Sequence, residues 1–302
     1  MKLKAGSKSK LNRTTTITGI AFLIPAVVMI TFAIFIPTIW NFILSFQHWD
    51  GGSNRSWVGL DNYKEVFADK TAIISIKHSV YLSVTSTFVA VIVGVVLAVL
   101  IYRLGRKEGM VYRLILFIPS MMPLAIIGVL FTFIYNPEMG LLNQFLKLIG
   151  ADSLATAWLE DKNTVLNAVV FVGIWRIAGL AMMLCFAAMQ GIPISLLESS
   201  RLDGAGYFKQ ITQIIIPLIK PIVLLSFIFT LVMQFKTYDL VFVLTKGGPG
   251  NFSKTVPLHM IDTAFSFGEY GQSAAMGFLF AIIVTFFILL TNRLLRGESY
   301  EY

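Results

Sequence analysis

Six long apolar stretches constrain this chain more than any other feature of its sequence. They cover about residues 17–46, 78–102, 114–135, 165–190, 221–244 and 272–292 and contain few charged residues. A helix needs about 20 consecutive apolar residues to cross the hydrocarbon core of a bilayer. Charged residues make up only 13% of the chain, whereas about 25% is usual for a soluble domain. The sequence therefore predicts an all-α, polytopic membrane protein with six transmembrane helices.

The connections between these stretches are too short to form a separate soluble domain. We therefore expect a single transmembrane domain over residues 17–296. A basic segment, residues 1–16, precedes it, and a short tail, residues 297–302, follows it. The first apolar stretch is too long for the core of a cleaved signal peptide, and no small-residue cleavage site follows it. We therefore expect it to be an uncleaved first span.

The distribution of lysine and arginine predicts the orientation of the spans. If the N-terminus is cytoplasmic, the inner segments carry 14 of the 24 basic residues and the outer segments carry 8, and the last two lie within spans. Basic residues are enriched in cytoplasmic loops of membrane proteins. Both termini are therefore expected in the cytoplasm, and the net charge of +8 reflects orientation rather than binding to nucleic acid.

A polar segment, residues 195–217, separates the fourth and fifth apolar stretches and reads SLLESSRLDGAGYFKQITQIIIP. Ser195 and Glu198 have the spacing of a capping box, which would begin a helix. Gly204 is expected to end that helix with a positive φ. The pattern predicts two short cytoplasmic helices joined by a glycine turn. Such a unit could dock into another protein, or it could simply connect two spans.

Three charged residues lie inside the predicted spans. Arg176 is in the fourth, and Lys236 and Asp239 are three residues apart in the fifth, on neighbouring positions of one helix face. A charge at the bilayer centre costs about 2.5–3.5 kcal/mol on insertion scales, so such residues usually face a bundle interior or a watery cavity. They could line a path for a polar solute. Alternatively, Lys236 and Asp239 pair with each other and Arg176 binds backbone carbonyls.

Three further side chains near these charges can stack on a solute or hydrogen-bond to it: Trp175, Gln234 and Tyr238. Aromatic faces and planar polar groups are suited to a sugar. Together with Arg176, Lys236 and Asp239 they form the predicted substrate path.

The polar segment also resembles a family motif. Glu198, Asp203-Gly204-Ala205 and Ile214-x-Ile216-Pro217 are similar to the EAA loop of permease subunits of ATP-binding-cassette importers. Ser199 and Ser200 stand at the two alanine positions of that motif. The residues that the resemblance assigns to coupling with an ATPase are Glu198, Ser199, Ser200, Asp203, Gly204, Ala205 and Pro217.

A second motif narrows the resemblance. FKTYDLVFVLTKGGPGNFSKT, residues 235–255, resembles the signature of sugar-type permeases, and in particular of the maltose permease F subunit family in its short six-span form. The resemblance implies a permease of the bacterial or archaeal cytoplasmic membrane that moves a sugar or oligosaccharide. It also implies three protein partners: a second homologous permease, a pair of cytoplasmic ATPase subunits and an external solute-binding protein.

The sequence shows no machinery for a reaction of its own. GPGNFSKT, residues 248–255, departs from a phosphate-binding loop at Ser253, where glycine is required, and it follows a predicted span rather than a buried strand. One cysteine, Cys185, and three scattered histidines predict neither a disulfide framework nor a metal site. We therefore expect no cofactor and no enzymatic activity. A stand-alone secondary transporter is the alternative, and a membrane enzyme is a third hypothesis.

The predicted orientation can be tested by labelling single cysteines in a Cys185→Ser background. We expect Gly150→Cys and Gly250→Cys to react with a membrane-impermeant maleimide from outside intact cells, and Ser200→Cys to react only after the membrane is opened. The reason is that the basic bias places residues 195–217 inside. External labelling of Ser200→Cys would overturn the orientation.

Overall fold

The computed structural model describes residues 6–295. Residues 1–5 of the predicted basic segment and the whole of the predicted tail, 297–302, lie outside the described residues. The α-helices are α1 (Gly6–Ile30), α2 (Ile36–Leu44), α3 (Asp61–Ala68), α4 (Lys70–Tyr102), α5 (Arg106–Met121), α6 (Leu124–Ile134), α7 (Leu141–Leu148), α8 (Val165–Gln190), α9 (Ile194–Leu202), α10 (Tyr207–Gln210), α11 (Ile216–Phe235), α12 (Asp239–Thr245), α13 (Val256–Ile261) and α14 (Tyr270–Leu295). One antiparallel hairpin pairs β1 (Gln47–His48) with β2 (Ser56–Trp57).

Five helical stretches in the described residues are long and apolar enough to cross a membrane, and a bent pair of helices makes a sixth if it is counted as one span. The prediction of an all-α membrane protein is confirmed. Two of the five stretches run through short π-helical turns. Thr31–Phe35 joins α1 to α2, and Ile211–Ile215 joins α10 to α11.

The third predicted span, 114–135, is not one straight helix. It is divided between α5 and α6, whose axes differ in direction by 100°. Met122 has an extended backbone, with φ −74° and ψ 141°. The residue before a proline is pushed away from helical angles by the proline ring, and Pro123 follows Met122. The proline therefore explains the break that the apolar pattern concealed.

The fifth predicted span, 221–244, is also wrong in its boundaries. α11 ends at Phe235, residues 236–238 are not helical, and α12 begins at Asp239. Asp239 lies in the first turn of α12, where an acidic side chain interacts favourably with the helix dipole. At its other end the helical stretch continues back to Tyr207, well before the predicted start.

The second span begins at Lys70 rather than at residue 78. Asp69 caps this helix, because its Oδ1 accepts a hydrogen bond of 2.7 Å from the Thr71 amide. Side-chain capping by aspartate satisfies one of the open amides at a helix start. The cap therefore lengthens the helix beyond its apolar part.

The core is built on α4 and α8, which pack against each other along their length. Glycines allow this close approach, as in other membrane helix pairs. A Cβ atom at Gly94 of α4 would lie 2.6 Å from the Cβ of Ala181 in α8, and one at Gly173 of α8 would lie 2.6 Å from Gln234 Nε2 in α11. α4, α8 and α11 therefore meet around the middle of the bundle.

The two ends of the bundle differ in structure. One end carries α3, the β-hairpin, α7 and α13, and we call it the hairpin end. There, His259 in α13 contacts Asp69 at 2.8 Å, and Lys254 pairs with Asp262 at 2.8 Å. The other end carries α9 and α10. The first span, Thr15–Leu44, is exposed over almost its whole length.

Candidate functional site: the segment 194–217 and the buried Arg176

The polar segment forms two short helices, α9 and α10, joined by a turn, and the first helix begins earlier than predicted. α9 begins at Ile194, with Pro193 in the capping position and no side-chain cap. The capping box predicted for Ser195 and Glu198 is therefore wrong. Pro193 supplies the extended backbone that precedes a helix, with φ −59° and ψ 128°, so Ser195 already lies within the first turn. This leaves the Glu198 side chain exposed on the helix surface.

The turn after α9 has the geometry expected of a glycine stop. Gly204 has a φ of +80°. The amide of Gly204 donates to the Arg201 carbonyl at 3.0 Å, and the amide of Ala205 donates to the Ser200 carbonyl at 2.9 Å. These two bonds form a Schellman motif, which satisfies the last carbonyls of a helix. The turn is therefore a defined structure rather than a loose connection.

Gln210 holds α9 and α10 together, and sequence reasoning gave it no role. Its side chain is buried. Its Nε2 donates to the Leu197 carbonyl at 2.8 Å and to the Ser200 hydroxyl at 2.7 Å. No local sequence pattern marks Gln210, because its hydrogen-bond partners lie 13 and 10 residues earlier in the chain. Ser200, at one alanine position of the motif, thus serves the internal structure of the segment.

Tyr207 fixes the segment to the end of α4. Its hydroxyl donates to the Val99 carbonyl at 3.1 Å, and the guanidinium of Arg103 lies 4.1 Å from the centre of its ring. Leu197 is buried in the same apolar cluster as Ile211 and Ile215. The segment therefore packs on this chain through one side.

The opposite side of the segment is exposed and partly apolar. Leu202 and Phe208 flank the glycine turn and are 90% and 78% exposed. Glu198, Ser199 and Asp203 are exposed on the same segment. Ala205 is half-buried, and Pro217 is exposed at the start of α11. Two large apolar side chains beside a rigid turn form a surface that a partner protein could cover.

The predicted substrate-path residues are divided by the structure. Arg176 and Gln234 are buried inside the chain, and Arg176 Nη2 donates to Gln234 Oε1 at 3.3 Å. Lys236 and Asp239 are exposed. They do not share a helix face as predicted, because α11 ends before Lys236 and α12 begins at Asp239. Their role in a substrate path stays a prediction.

The two aromatic residues of that group make contacts within the chain. Trp175 is 36% exposed, and its ring packs edge-to-face on Phe131 with 5.3 Å between ring centres. Tyr238 stacks on Phe242 at 5.4 Å. They do not contact Arg176 or Gln234 in any ring or hydrogen-bond interaction of the described residues.

The Arg176–Gln234 contact is only partly satisfied. Arg176 Nε and Gln234 Nε2 have no hydrogen-bond partner among the described residues. Arg176 forms no salt bridge with a carboxylate among the described residues. Arg176 is thus a buried cation held by neutral groups where three helices meet.

The signature segment 235–255 closes on itself at the hairpin end. Lys246 and Gly247 both have positive φ values, 49° and 84°. The buried Ser253 hydroxyl lies 2.7 Å from the Gly248 carbonyl and 2.7 Å from the Thr245 hydroxyl. Ser253 therefore fills the inside of the loop, at the position where a phosphate loop would have its second glycine.

A cavity of about 510 Å³, lined by both polar and apolar residues, opens beside this loop. Glu160 and Lys246 bring opposite charges to its lining, together with Asn136 and Tyr135. Sequence reasoning did not find it, because its residues come from three separate connections of the chain.

Comparison with known proteins identifies the family. Residues 90–297 match the model for the inner membrane component of binding-protein-dependent transport systems. The probable ABC transporter permease protein YurN of Bacillus subtilis is 35% identical over 93% of this chain and 96% of that protein. The chain belongs to this family. It is therefore a multi-pass membrane component of a transport system rather than an enzyme.

Two further relatives are named for the solutes they take up. The diacetylchitobiose uptake permease NgcF of Streptomyces coelicolor is 30% identical over 93% of this chain and 84% of that protein. The trehalose/maltose permease MalF of Thermococcus litoralis is 27% identical over 93% of this chain and 95% of that protein.

The fold is also found in a solved structure. A chain of a bacterial ABC transporter involved in alginate import superposes with a TM-score of 0.81 at 20% identity, over 96% of this chain and 99% of that chain. This similarity shows that the two chains share a fold.

The glycine turn can be tested with two neighbouring glycines. Gly204→Val should loosen the end of α9, because a left-handed backbone costs a non-glycine residue about 1–2 kcal/mol. Gly206→Val is the matched control, since the φ of Gly206 is −67° and no atom lies within 4 Å of the position that a Cβ atom would take there. We expect trypsin to cut after Arg201 faster in Gly204→Val than in wild type or Gly206→Val. Equal cutting rates in all three would contradict this account of the turn.

The Arg176–Gln234 contact predicts a non-additive pair of substitutions. Gln234→Leu should destabilise the protein by about 1.5–3 kcal/mol, the usual range for a hydrogen bond to a charged group. Arg176→Met in the Gln234→Leu background should restore part of that loss, because replacing both partners with apolar groups leaves no buried charge. Thermal denaturation in detergent would measure this, and strictly additive losses would argue against the contact.

Proposed function

We propose that this permease is one of two transmembrane subunits of an ATP-driven importer for a sugar or oligosaccharide. The observation that carries the proposal is the family match, which spans the polar segment and the spans that follow α4. Relatives named for chitobiose and for trehalose or maltose support a carbohydrate substrate. The transporter with the similar fold is described in complex with a periplasmic protein that carries an alginate pentasaccharide.

A stand-alone secondary transporter is not favoured. The family consists of components of binding-protein-dependent systems, in which the solute is delivered by another protein. The importer would also contain a second homologous permease and two cytoplasmic ATPase subunits, and the chain would lie in a bacterial or archaeal cytoplasmic membrane. In this proposal both termini and α9–α10 are cytoplasmic, as the basic residues predict, and the hairpin end faces the solute-binding protein.

The segment 194–217 is the proposed docking site for an ATPase subunit. Its inner side is fixed to α4 by Tyr207 and held internally by Gln210. Its outer side presents Leu202, Phe208 and Glu198. A rigid segment with an exposed apolar surface can transmit the movement of a bound partner to the spans, because the segment itself does not deform.

The segment is also directly continuous with the centre of the bundle. The helical stretch Tyr207–Phe235 runs without interruption from the proposed docking site to Gln234, which contacts Arg176. A displacement of the docking site would therefore act on this buried contact. We place Arg176 and Gln234 near the solute path in the importer, with Trp175, Lys236, Tyr238 and Asp239 on the adjoining surface.

The test is solute-stimulated ATP hydrolysis by the reconstituted importer, together with copurification of the ATPase. Glu198 forms no capping box, so Glu198→Gln removes a charge without altering α9. If Glu198 pairs with a buried basic residue of the ATPase, Glu198→Gln should weaken coupling by about 2–5 kcal/mol. Leu202→Ala and Phe208→Ala should reduce copurification, because both would be anchors of the interface.

Gln213→Ala is the control, because Gln213 is exposed on the same segment and has no assigned role. We expect it to keep wild-type stimulation and copurification. If Glu198→Gln, Leu202→Ala and Phe208→Ala also keep them, the segment is only a connector and the docking proposal fails. If no sugar tested stimulates ATP hydrolysis, the carbohydrate substrate is wrong, but the docking proposal is not affected.

A further inference from the structure

The short helix α7 at the hairpin end exposes much of its apolar surface. Leu141, Phe145 and Leu148 of the helix, and Ile149 directly after it, are between 56% and 84% exposed. Their spacing places them on one face of the helix. Asn143, on the opposite face, is buried. Leu142 and Leu146 are half-buried. A surface helix of a water-soluble protein keeps its apolar stripe against the core, whereas α7 leaves four apolar side chains at its outer face uncovered.

The inward position of Asn143 is fixed by three hydrogen bonds. Its Nδ2 donates to the carbonyls of Pro137 at 3.0 Å and Thr156 at 2.9 Å, and its Oδ1 accepts from Trp158 Nε1 at 2.7 Å. These bonds tie α7 to the chain on both sides of it. The outward direction of the apolar face is therefore a consequence of a satisfied polar network.

The position of α7 along the bundle is that of a membrane–water interface. It begins seven residues after α6 ends at Ile134, and the chain continues from Trp158 into α8 at Val165. Tyr135 directly follows α6 and Trp158 lies seven residues before α8, with 6.3 Å between their ring centres. Tyrosine and tryptophan are enriched at the level of the lipid headgroups.

The apolar surface of α7 continues into that of the spans. A cavity of about 330 Å³ is lined by Leu142 of α7, Trp158 and Phe171 of α8. Phe171 is itself exposed on the outside of its span. A second cavity, of about 410 Å³, lies between α7 and residues 153–158 and is lined mainly by apolar groups. Thr164 and Asn167 add two polar side chains to the lining of the first cavity.

We propose that α7 is an interfacial helix whose Leu141, Phe145, Leu148 and Ile149 insert into the bilayer at the hairpin end of the protein. The lipid acyl chains nearest the headgroups cover this face and reach the cleft beside Phe171. Lys147 lies four residues after Asn143, on the polar side of α7, and is exposed, so its long side chain can carry its ammonium group to the headgroups. An apolar face with a basic residue beside it is typical of helices that lie in the plane of a membrane.

A bilayer fits this face better than a protein does. The exposed Phe171 of α8 lines the same cavity as Leu142 of α7, so the apolar surface leads towards the spans, whereas a solute-binding protein that docks on the hairpin end would approach from the aqueous side. The proposal depends neither on the transported solute nor on which side of the membrane the hairpin end faces, so it can fail or succeed independently of the proposed function.

The experiment places a small fluorophore on single cysteines of the full chain in the Cys185→Ser background. Phe145→Cys and Leu148→Cys report on the apolar face, and Lys162→Cys reports on an exposed site of the same connection. The protein is reconstituted in nanodiscs of phosphatidylcholine and phosphatidylglycerol. One set contains lipids with a nitroxide near the headgroup end of the acyl chain, and another contains lipids with it near the methyl end.

At positions 145 and 148 we expect strong quenching by the nitroxide near the headgroup, weaker quenching by the nitroxide near the methyl end, and several-fold less quenching by iodide than at position 162. If Phe145→Cys or Leu148→Cys does not give a monodisperse protein, Ile149→Cys is used in its place. Iodide quenching at 145 and 148 equal to that at 162 would overturn the proposal. So would protection that appears only when the second permease or the solute-binding protein is added, because the face would then be a protein interface.

Discussion

The close approach of α4 and α8 is the contact on which the rest of this protein depends. In a bilayer the hydrophobic effect does not drive helices together, and packing and interhelical hydrogen bonds must do so. Gly94 and Gly173 remove the side chains that would keep the helices apart. At one end of this pair Tyr81 donates to Asn167 at 2.7 Å, and at the other end Tyr207 is bonded to the Val99 carbonyl of α4. The pair thus provides a frame for both ends of the molecule.

The frame explains why the polar segment can be rigid at a membrane surface. A connection of this length would be mobile if it were held only by its ends. Here Leu197, Gln210 and Tyr207 hold it to the bundle and to itself. The residues left outside, among them Leu202 and Phe208, are those that no contact within the chain requires. In the proposed importer the same division separates the residues that fix the segment from the residues that bind the ATPase.

The sequence predicts the spans well, because their apolar length has one physical solution in a bilayer. It predicts their interruptions less well. The break at Met122 could have been recognised from Pro123, whereas the break after Phe235 has no comparable local signal. Local sequence patterns do not predict contacts between residues that are distant in the chain. Gln210 was not recognised because its partners lie 10 and 13 residues away. α7 looks like an ordinary amphipathic helix until the three bonds of Asn143 show which side of it is inside.

Arg176 is a buried charge that belongs to the structure and, in the proposed importer, to the transport cycle as well. A guanidinium among neutral partners is costly to bury. The hydrogen bond from Arg176 in α8 to Gln234 in α11 is long, with 3.3 Å between Nη2 and Oε1. Such a contact holds one arrangement of α8 and α11 less firmly than a pair of opposite charges would. Because α11 is continuous with the polar segment, an ATPase that shifts the segment in the proposed importer would act directly on this contact. A tightly paired Arg–carboxylate bridge at the same place would hold one state and oppose the change that an importer requires.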